Sequence, residues 1–424
     1  MSNKRKIEQL ETYMLSVLDG SHTGKWPSTL RVLLKGFSML FAVIVQVRLM
    51  LYRHRIIRPS TLGCQVISVG NLTVGGTGKT PVVEGFARTL QRHGRKVAIL
   101  SRGYKSKELP FFQKMIQRIT TGRIDTPPRV VSDGRRLLLD SWTAGDEPYM
   151  LASNLPEVAV VVDKDRVKAG KYAIKELGCD TLILDDGFQY LKLGNRLDIA
   201  LVDRTNPFGG GHLLPRGLLR EPMRNIKRAG FIFITKCHTG GDKELKEQLR
   251  RLNPVAEISE CRHANKYLKE VFGEKIHDLG ILKGMKIATI SAIAVPESFE
   301  NALRQLGAEI IYNRRFADHH RFTQQEIINT INWSIKRGAE AILTTEKDAV
   351  RFPYVERRDI PVLFMRVEIE MLSGEEEFMD WIARICFKSP RARQDRDRRK
   401  AAEDASRLDA EGKEKEKPSA VSEK

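Results

Sequence analysis

The feature that most constrains this chain is an eight-residue loop, Thr73-Val74-Gly75-Gly76-Thr77-Gly78-Lys79-Thr80. It follows an apolar run, residues 65–70, that reads as a buried strand, and it opens residues 80–93, which read as a helix. Small residues in that setting let backbone N–H groups converge on phosphate oxygens at the positive end of a helix. Lys79 would reach the β- and γ-phosphates, and the Thr80 hydroxyl would hold Mg2+. The strict pattern has glycine where Thr73 stands, so the loop departs from it at one position. A second strand end supports the reading. Thr181-Leu182-Ile183-Leu184-Asp185-Asp186 is an apolar run delivering two carboxylates, as a metal-facing strand beside a phosphate loop does. The guanine-reading pattern Asn-Lys-x-Asp is missing, since Asn265-Lys266 is followed by Tyr267-Leu268. ATP is the nucleotide this favours.

The rhythm around these motifs is α/β. Short Val/Ile/Leu-rich runs at 65–70, 96–101, 157–163, 179–184, 197–202 and 230–235 alternate with helical stretches, the pattern of a parallel sheet covered on both faces. A second set of strands (286–291, 309–312, 341–344, 362–366) and helices (296–306, 323–337, 378–387) begins near Met285. The sequence thus predicts a P-loop NTPase-type core over 61–255 and a smaller α/β domain over 280–387. Residues 388–424 hold twelve Lys/Arg and nine Asp/Glu and almost nothing apolar, which predicts a disordered charged tail.

Charge and cysteine content narrow the setting. The net charge is +19, and residues 1–60 hold ten Lys/Arg against three Asp/Glu. Those basic residues flank an apolar run, 36–45, inside a segment, 28–58, that reads as a membrane-associated helix. The run itself is short of the roughly 20 apolar residues needed to span. Arg and Lys stems can snorkel while Leu, Phe, Ile and Val meet acyl chains, so an anionic membrane surface is the expected partner. A nucleic-acid partner is not expected: no aromatic RNA-binding stretch, zinc finger or basic zipper is present. Five scattered cysteines without a C-x-x-C pair point to a reducing compartment. Base-reading loops for a switch and His/Cys clusters for a metallochaperone are also missing, and no obligate protein partner is inferred.

With these pieces in place the chain resembles the tetraacyldisaccharide 4′-kinases of lipid A synthesis. The likeness runs over residues 28–387. Its blocks are Val69 to Pro81, including Thr73; Ser101-Arg102-Gly103-Tyr104; Val131-Ser132-Asp133-Gly134; Gly145-Asp146-Glu147-Pro148; Leu184-Asp185-Asp186-Gly187-Phe188-Gln189-Tyr190; Leu214 to Pro222; Phe316-Ala317-Asp318-His319; and Thr344 to Val350. One position departs: Ala292 stands where the family's second domain usually opens with glycine. The resemblance implies ATP-dependent phosphorylation of the 4′-hydroxyl of a tetraacylated glucosamine disaccharide 1-phosphate, giving lipid IVA. It implies the cytoplasmic face of the inner membrane of a Gram-negative-type cell, and two hinged domains with the substrates between them.

Roles follow from the matched positions. Lys79 neutralises the transferring phosphate. Thr80, Asp185, Asp186 and Glu221 are the candidate Mg2+ ligands. Arg166 and Arg220 are candidates to clamp phosphate oxygens, with a surface salt bridge as the alternative for each. Arg102, Tyr104 and Gln189 are placed near the substrates. Asp146, expected on a loop, fits the base that draws the proton from the sugar hydroxyl. The family motif makes His319, and not the adjacent His320, its partner.

Overall fold

A computed structural model describes residues 16–17, 24–76, 78–103, 127–237 and 241–386. The expected tail at 388–424 lies outside the described residues, as do Tyr104 and Thr77. The first long element is helix α1 (Lys25–Arg53), followed by β1 (Gln65–Asn71) and α2 (Lys79–Arg92). Then come β2 (Val97–Ser101), β3 (Arg129–Asp133), α3 (Asp146–Asn154), β4 (Ala159–Val162), α4 (Arg166–Lys175), β5 (Thr181–Asp185), β6 (Arg196–Asp203) and β7 (Phe231–Thr235). After α5 (Lys243–Leu252) and the long β8 (Glu257–Glu270), β9 (Ile276–His277) is a short partner of β8. The later elements are β10 (Lys286–Ser291), α6 (Pro296–Gln305), β11 (Glu309–Arg315), α7 (Gln324–Lys336), β12 (Ala341–Thr345), α8 (Glu346–Ala349) and β13 (Val362–Ser373). Helix α9 (Glu375–Cys386) falls almost wholly in a separate unit that begins at Glu376.

Among the described residues thirteen strands join one sheet, in the order β11-β10-β12-β13-β8-β7-β6-β1-β5-β2-β4-β3, with β9 on β8. β1 lies in the nucleotide half between β5 and β6, parallel to both, and six of its seven residues are buried. Its apolar content therefore reads as a continuous run rather than an alternation. α2 packs back on the sheet through Val82, Val83, Phe86, Ala87 and Leu90, a helical stripe. Because β1 and β5 are parallel neighbours, the phosphate loop after β1 and the two carboxylates ending β5 emerge at the same edge of the sheet. Ligands of open α/β sheets bind at that carboxyl edge.

The sheet is not wholly parallel. β3 runs antiparallel to β4, and β8 runs antiparallel to β13 while staying parallel to β7. β8, like the shorter β3 and β9, is an element that the apolar-run criterion passes over. Its sequence, Glu-Ile-Ser-Glu-Cys-Arg-His-Ala-Asn-Lys-Tyr-Leu-Lys-Glu, is mostly polar. Its charges are absorbed across the ladder, Arg262 meeting Glu370 at 2.7 Å and Lys266 the same carboxylate at 3.8 Å. Through β8 and β13 the two sets of strands meet edge to edge, while their apolar clusters stay distinct. One set packs around Leu72, Val66 and Phe188, the other around Leu282, Ile287 and Ile331.

α1 is longer than the apolar run suggested. Its 29 residues are long and apolar enough to cross a bilayer by length and composition. Yet it is tied to the body at three levels. Ser38 donates to the Leu213 carbonyl at 2.8 Å and accepts from the Arg216 N–H at 3.0 Å. Gln46 donates to Asn225 at 3.2 Å, and Arg48 to the Gln189 carbonyl at 3.3 Å. The opposite side shows Val32, Leu33, Phe37, Leu40, Val43, Ile44 and Val47 to solvent.

Candidate active site

The phosphate loop is anchored at both ends and open in the middle. Thr73 is buried, forms a β-bridge with Leu219 and accepts from the Asn71 side chain at 3.2 Å. That explains why threonine replaces the glycine of the strict pattern: the position is an extended, paired residue and not a turn. The Val74 N–H donates to the Leu218 carbonyl at 2.7 Å, and the Arg220 N–H to the Leu72 carbonyl at 2.7 Å. Val74, Gly75 and Gly76 are then exposed. Gly78 closes the loop in a left-handed conformation (φ 72°), and a Cβ there would strike the His263 ring at 2.2 Å. Only glycine fits.

Lys79 Nζ lies 3.3 Å from Asp186 and 3.5 Å from Asn71 Oδ1. Asp186 also accepts from Arg220 at 2.9 and 3.0 Å, and the same guanidinium nitrogen reaches Gln189 at 3.3 Å. Gln189 in turn donates to the Asn71 carbonyl at 2.9 Å. The paired carboxylates are electrostatically unlike. Burial, then Glu147 and Asp186, push Asp185 up to about 6. Burial works the same way on Asp186, but Lys79 and Arg220 outweigh it and hold that carboxyl below its ordinary value. Ser101 donates to Asp185 at 3.1 Å, and Arg166, buried beside the Tyr190 ring, donates to the Asp185 carbonyl at 3.3 Å. Arg166 is therefore no surface salt bridge. Arg102 is exposed and close enough to Arg166 to lower its pKa, although burial is the largest influence on Arg166. Glu221 stands apart. It is buried, both its oxygens are taken by Arg228 (2.6 and 3.0 Å), and Asn225 adds a third bond at 3.0 Å.

The second cluster joins residues 173 positions apart. Asp146 is the first residue of α3 and not a loop residue, and it is buried there. The helix terminus favours its charge. His319 Nδ1 lies 3.1 Å from Asp146 Oδ2, and Arg351 Nε donates to the same oxygen at 2.8 Å. Arg321 sits 2.7 Å from Oδ1. Burial alone would raise the Asp146 carboxyl, but the His319 bond and the Arg351 and Arg321 charges hold it below the ordinary range. Lys347 Nζ is 3.3 Å from His319 Nε2. Arg351 Nη2 lies 3.3 Å from His319 Nδ1, so that ring nitrogen is shared between Asp146 and Arg351 while Nε2 faces Lys347. His320 turns elsewhere, to Glu326 at 3.1 Å and onto the Phe316 ring.

The backbone beneath this cluster is locked. The Ala292 N–H donates to Asp348 at 3.1 Å, and the Ala292 carbonyl accepts from the His319 N–H (3.1 Å) and from Arg351 (3.1 Å). Arg351 also pairs with Asp348 at 2.9 Å. Ala292 is not among the described non-glycine residues with positive φ, so the alanine costs no left-handed strain. His319 itself does have φ 62°, a conformation held by these bonds.

The model of the family described as tetraacyldisaccharide-1-P 4′-kinase, LpxK, matches residues 30–386. The chain belongs to that family. Curated tetraacyldisaccharide 4′-kinases are similar over most of the chain. The protein of Anaeromyxobacter sp. (strain Fw109-5) is 39% identical over 342 residues, 80% of this chain and 86% of that one. That of Halothermothrix orenii is 35% identical over 364 residues, 83% and 90%. Among solved structures, LpxK from Aquifex aeolicus, crystallised with ATP, superposes with a TM-score of 0.65 at 30% identity, covering 84% of this chain and all of that one.

Several residues of this kinase site escape a reading of the sequence. Glu147 and Lys347 lie inside the family blocks, directly beside Asp146 and within Thr344 to Val350, and position in those blocks is their sequence signal. Ser101 is similar. Arg321 follows the Asp-His block by two residues. Arg351 directly follows the block Thr344 to Val350, whereas His263 carries no local signal, because it meets the site only through the tertiary fold.

Proposed function

We propose that this protein transfers the γ-phosphoryl group of ATP to the 4′-hydroxyl of a tetraacylated glucosamine disaccharide 1-phosphate, giving lipid IVA. The observation that carries the reading is the pairing, in one member of this kinase family, of a phosphate loop with a buried carboxylate–histidine cluster. Phosphoryl transfer asks mainly for positioning and charge stabilisation. Lys79 and the loop amides would hold the phosphates, drawing Lys79 off Asp186, with Arg220 and Arg166 beside them. Asp146 Oδ2 is spent on His319 and Arg351, and Oδ1, ion-paired with Arg321 at 2.7 Å, is the oxygen that would accept the hydroxyl proton. Its depressed pKa keeps it ionised at neutral pH, as an acceptor must be, and His319 fixes its orientation.

Mg2+ fits the residues present. Asp185, Asp186 and Thr80 offer hard oxygens, and a buried carboxyl raised by its neighbours gains most from a nearby cation. Bound there, the ion would neutralise charge on the phosphates. Glu221, already held by Arg228, would serve the site from a distance. The exposed apolar face of α1, with its tethers to the body, supports a helix lying in the interface of an anionic bilayer, on the cytoplasmic side of the inner membrane where ATP is found. The two sets of strands with their separate apolar clusters are proposed as the domains 61–255 and 280–387, with the substrates meeting between them.

The test is an assay with γ-labelled ATP and the detergent-dispersed disaccharide precursor, with a soluble glucosamine disaccharide as control. Label in the acylated acceptor supports the reading. Hydrolysis of ATP without transfer to lipid overturns it.

A further inference from the structure

An ionic cluster buried away from the reacting groups has arms that end on both halves of the site. Arg366, on β13, is 2% exposed. One guanidinium nitrogen donates to both oxygens of Glu346, at 2.7 and 2.9 Å. The other donates to Glu84 and, at 3.4 Å, to Glu368. Glu84 also accepts from Arg88 at 2.5 Å and from Asn154 at 3.2 Å, and Asn154 donates onward to Glu346 at 2.7 Å. Arg88 completes the ring through Glu368 at 3.3 Å and the Asn154 carbonyl at 3.4 Å.

Each arm belongs to an element that carries chemistry. Glu84 lies five residues beyond Lys79 on α2. Asn154 ends α3, the helix that Asp146 begins. Glu346 begins α8, in which Lys347 touches His319 and Asp348 holds Arg351, itself bonded to Asp146. Apolar side chains of similar volume would seat these elements about as stably, because desolvation offsets most of the attraction between buried charges. The planar fork of an arginine supplies something they cannot, a fixed direction for each bond.

We infer that Arg366, acting with Glu84, Asn154 and Glu346, is a positioning residue that sets the phosphate loop and the Asp146–His319 pair at the spacing transfer requires. The inference rests on the function proposed above. Arg366→Lys keeps the charge and loses the fork. A misplacement near 1 Å costs on the order of a hundred-fold in such reactions, so kcat should fall roughly ten- to hundred-fold while KM for ATP stays put. In an Asp146→Ala background the same change should cost almost nothing further, because the group through which it acts is gone. Glu346→Gln, nearly isosteric, should give a smaller loss of the same kind and serves if Arg366→Lys does not fold. Wild-type kcat in folded Arg366→Lys or Glu346→Gln, a rise in KM alone, or a loss that multiplies fully with Asp146→Ala overturns the inference. Wild-type protein that fails to label the lipid would instead overturn the proposed function, and is measured first.

Discussion

Around the phosphate loop, Val74, Gly75 and Gly76 are exposed, and Lys79 and Arg220 share the one carboxylate of Asp186. Around Asp146, by contrast, His319, Arg351 and Arg321 already surround a buried carboxylate. The first site is anchored only at its ends and takes its charge balance from what it binds. The second is assembled by contacts between distant parts of the chain and is balanced within the protein. Changes in the loop should therefore show mainly in handling of the nucleotide, and changes near Asp146 mainly in the rate of transfer.

The largest effect that sharpens this contrast is expected from Lys79→Ala. Contacts that neutralise transferring charge are worth about 3 kcal/mol or more, so turnover should drop by two orders of magnitude or more in a protein that keeps its fold. Near-normal turnover in folded protein would remove Lys79 from the mechanism.

Asp185→Asn probes the other side of the loop through pH. The folded-state value near 6 lies above the ordinary 3.8, so the folded protein binds this proton more tightly than the unfolded chain. The stability this contributes is present at low pH and is lost as pH rises through about 6. Asparagine carries no such penalty. In urea unfolding without nucleotide or Mg2+, the variant should match wild type near pH 4 and gain up to about 3 kcal/mol on it above pH 7, while losing activity. A stability difference that does not change with pH would refute the assigned environment.

Gly78→Ala tests whether the loop end is as tightly fitted as its φ and the His263 ring imply. The KM for ATP should rise about ten-fold or more, since strained residues of this kind cost roughly 1–3 kcal/mol. Gly78→Ala with His263→Ala should recover part of that loss, the part due to contact. No recovery would assign the whole effect to the backbone.

The smallest effect on chemistry is expected from Phe37→Glu, Leu40→Glu and Ile44→Glu together, on the exposed side of α1. Association with anionic vesicles and use of micellar lipid should weaken, with ATP binding unchanged. Unaltered vesicle association would exclude this face as the membrane contact.

Much of the nucleotide half is legible in the sequence because its information is local. A buried parallel strand is an apolar run, the loop after it has its own spacing, and Asp185 and Asp186 sit where the next apolar run stops. β8 was not legible, because cross-strand partners on β13 that no local pattern shows neutralise its charges. The start of α3 was misplaced on a loop, though acidic residues in the first turn and Pro148 nearby are helix-opening signals. The pairing of Asp146 with His319 came only through family resemblance. Arg351, 205 residues from Asp146, was beyond any reading of spacing.

The most direct test of the account is a turnover cycle on Asp146→Ala, His319→Ala and the double variant, at saturating ATP and lipid. General-base assistance is typically worth about a hundred- to ten-thousand-fold. Each single variant should lose on that order with little change in ATP affinity. The double variant should be no worse than roughly the poorer single, because the two side chains act as one unit. Losses that multiply independently would contradict the coupled pair, and undiminished turnover in both singles would place the base elsewhere, with Asp185 or Asp186 next to be tested.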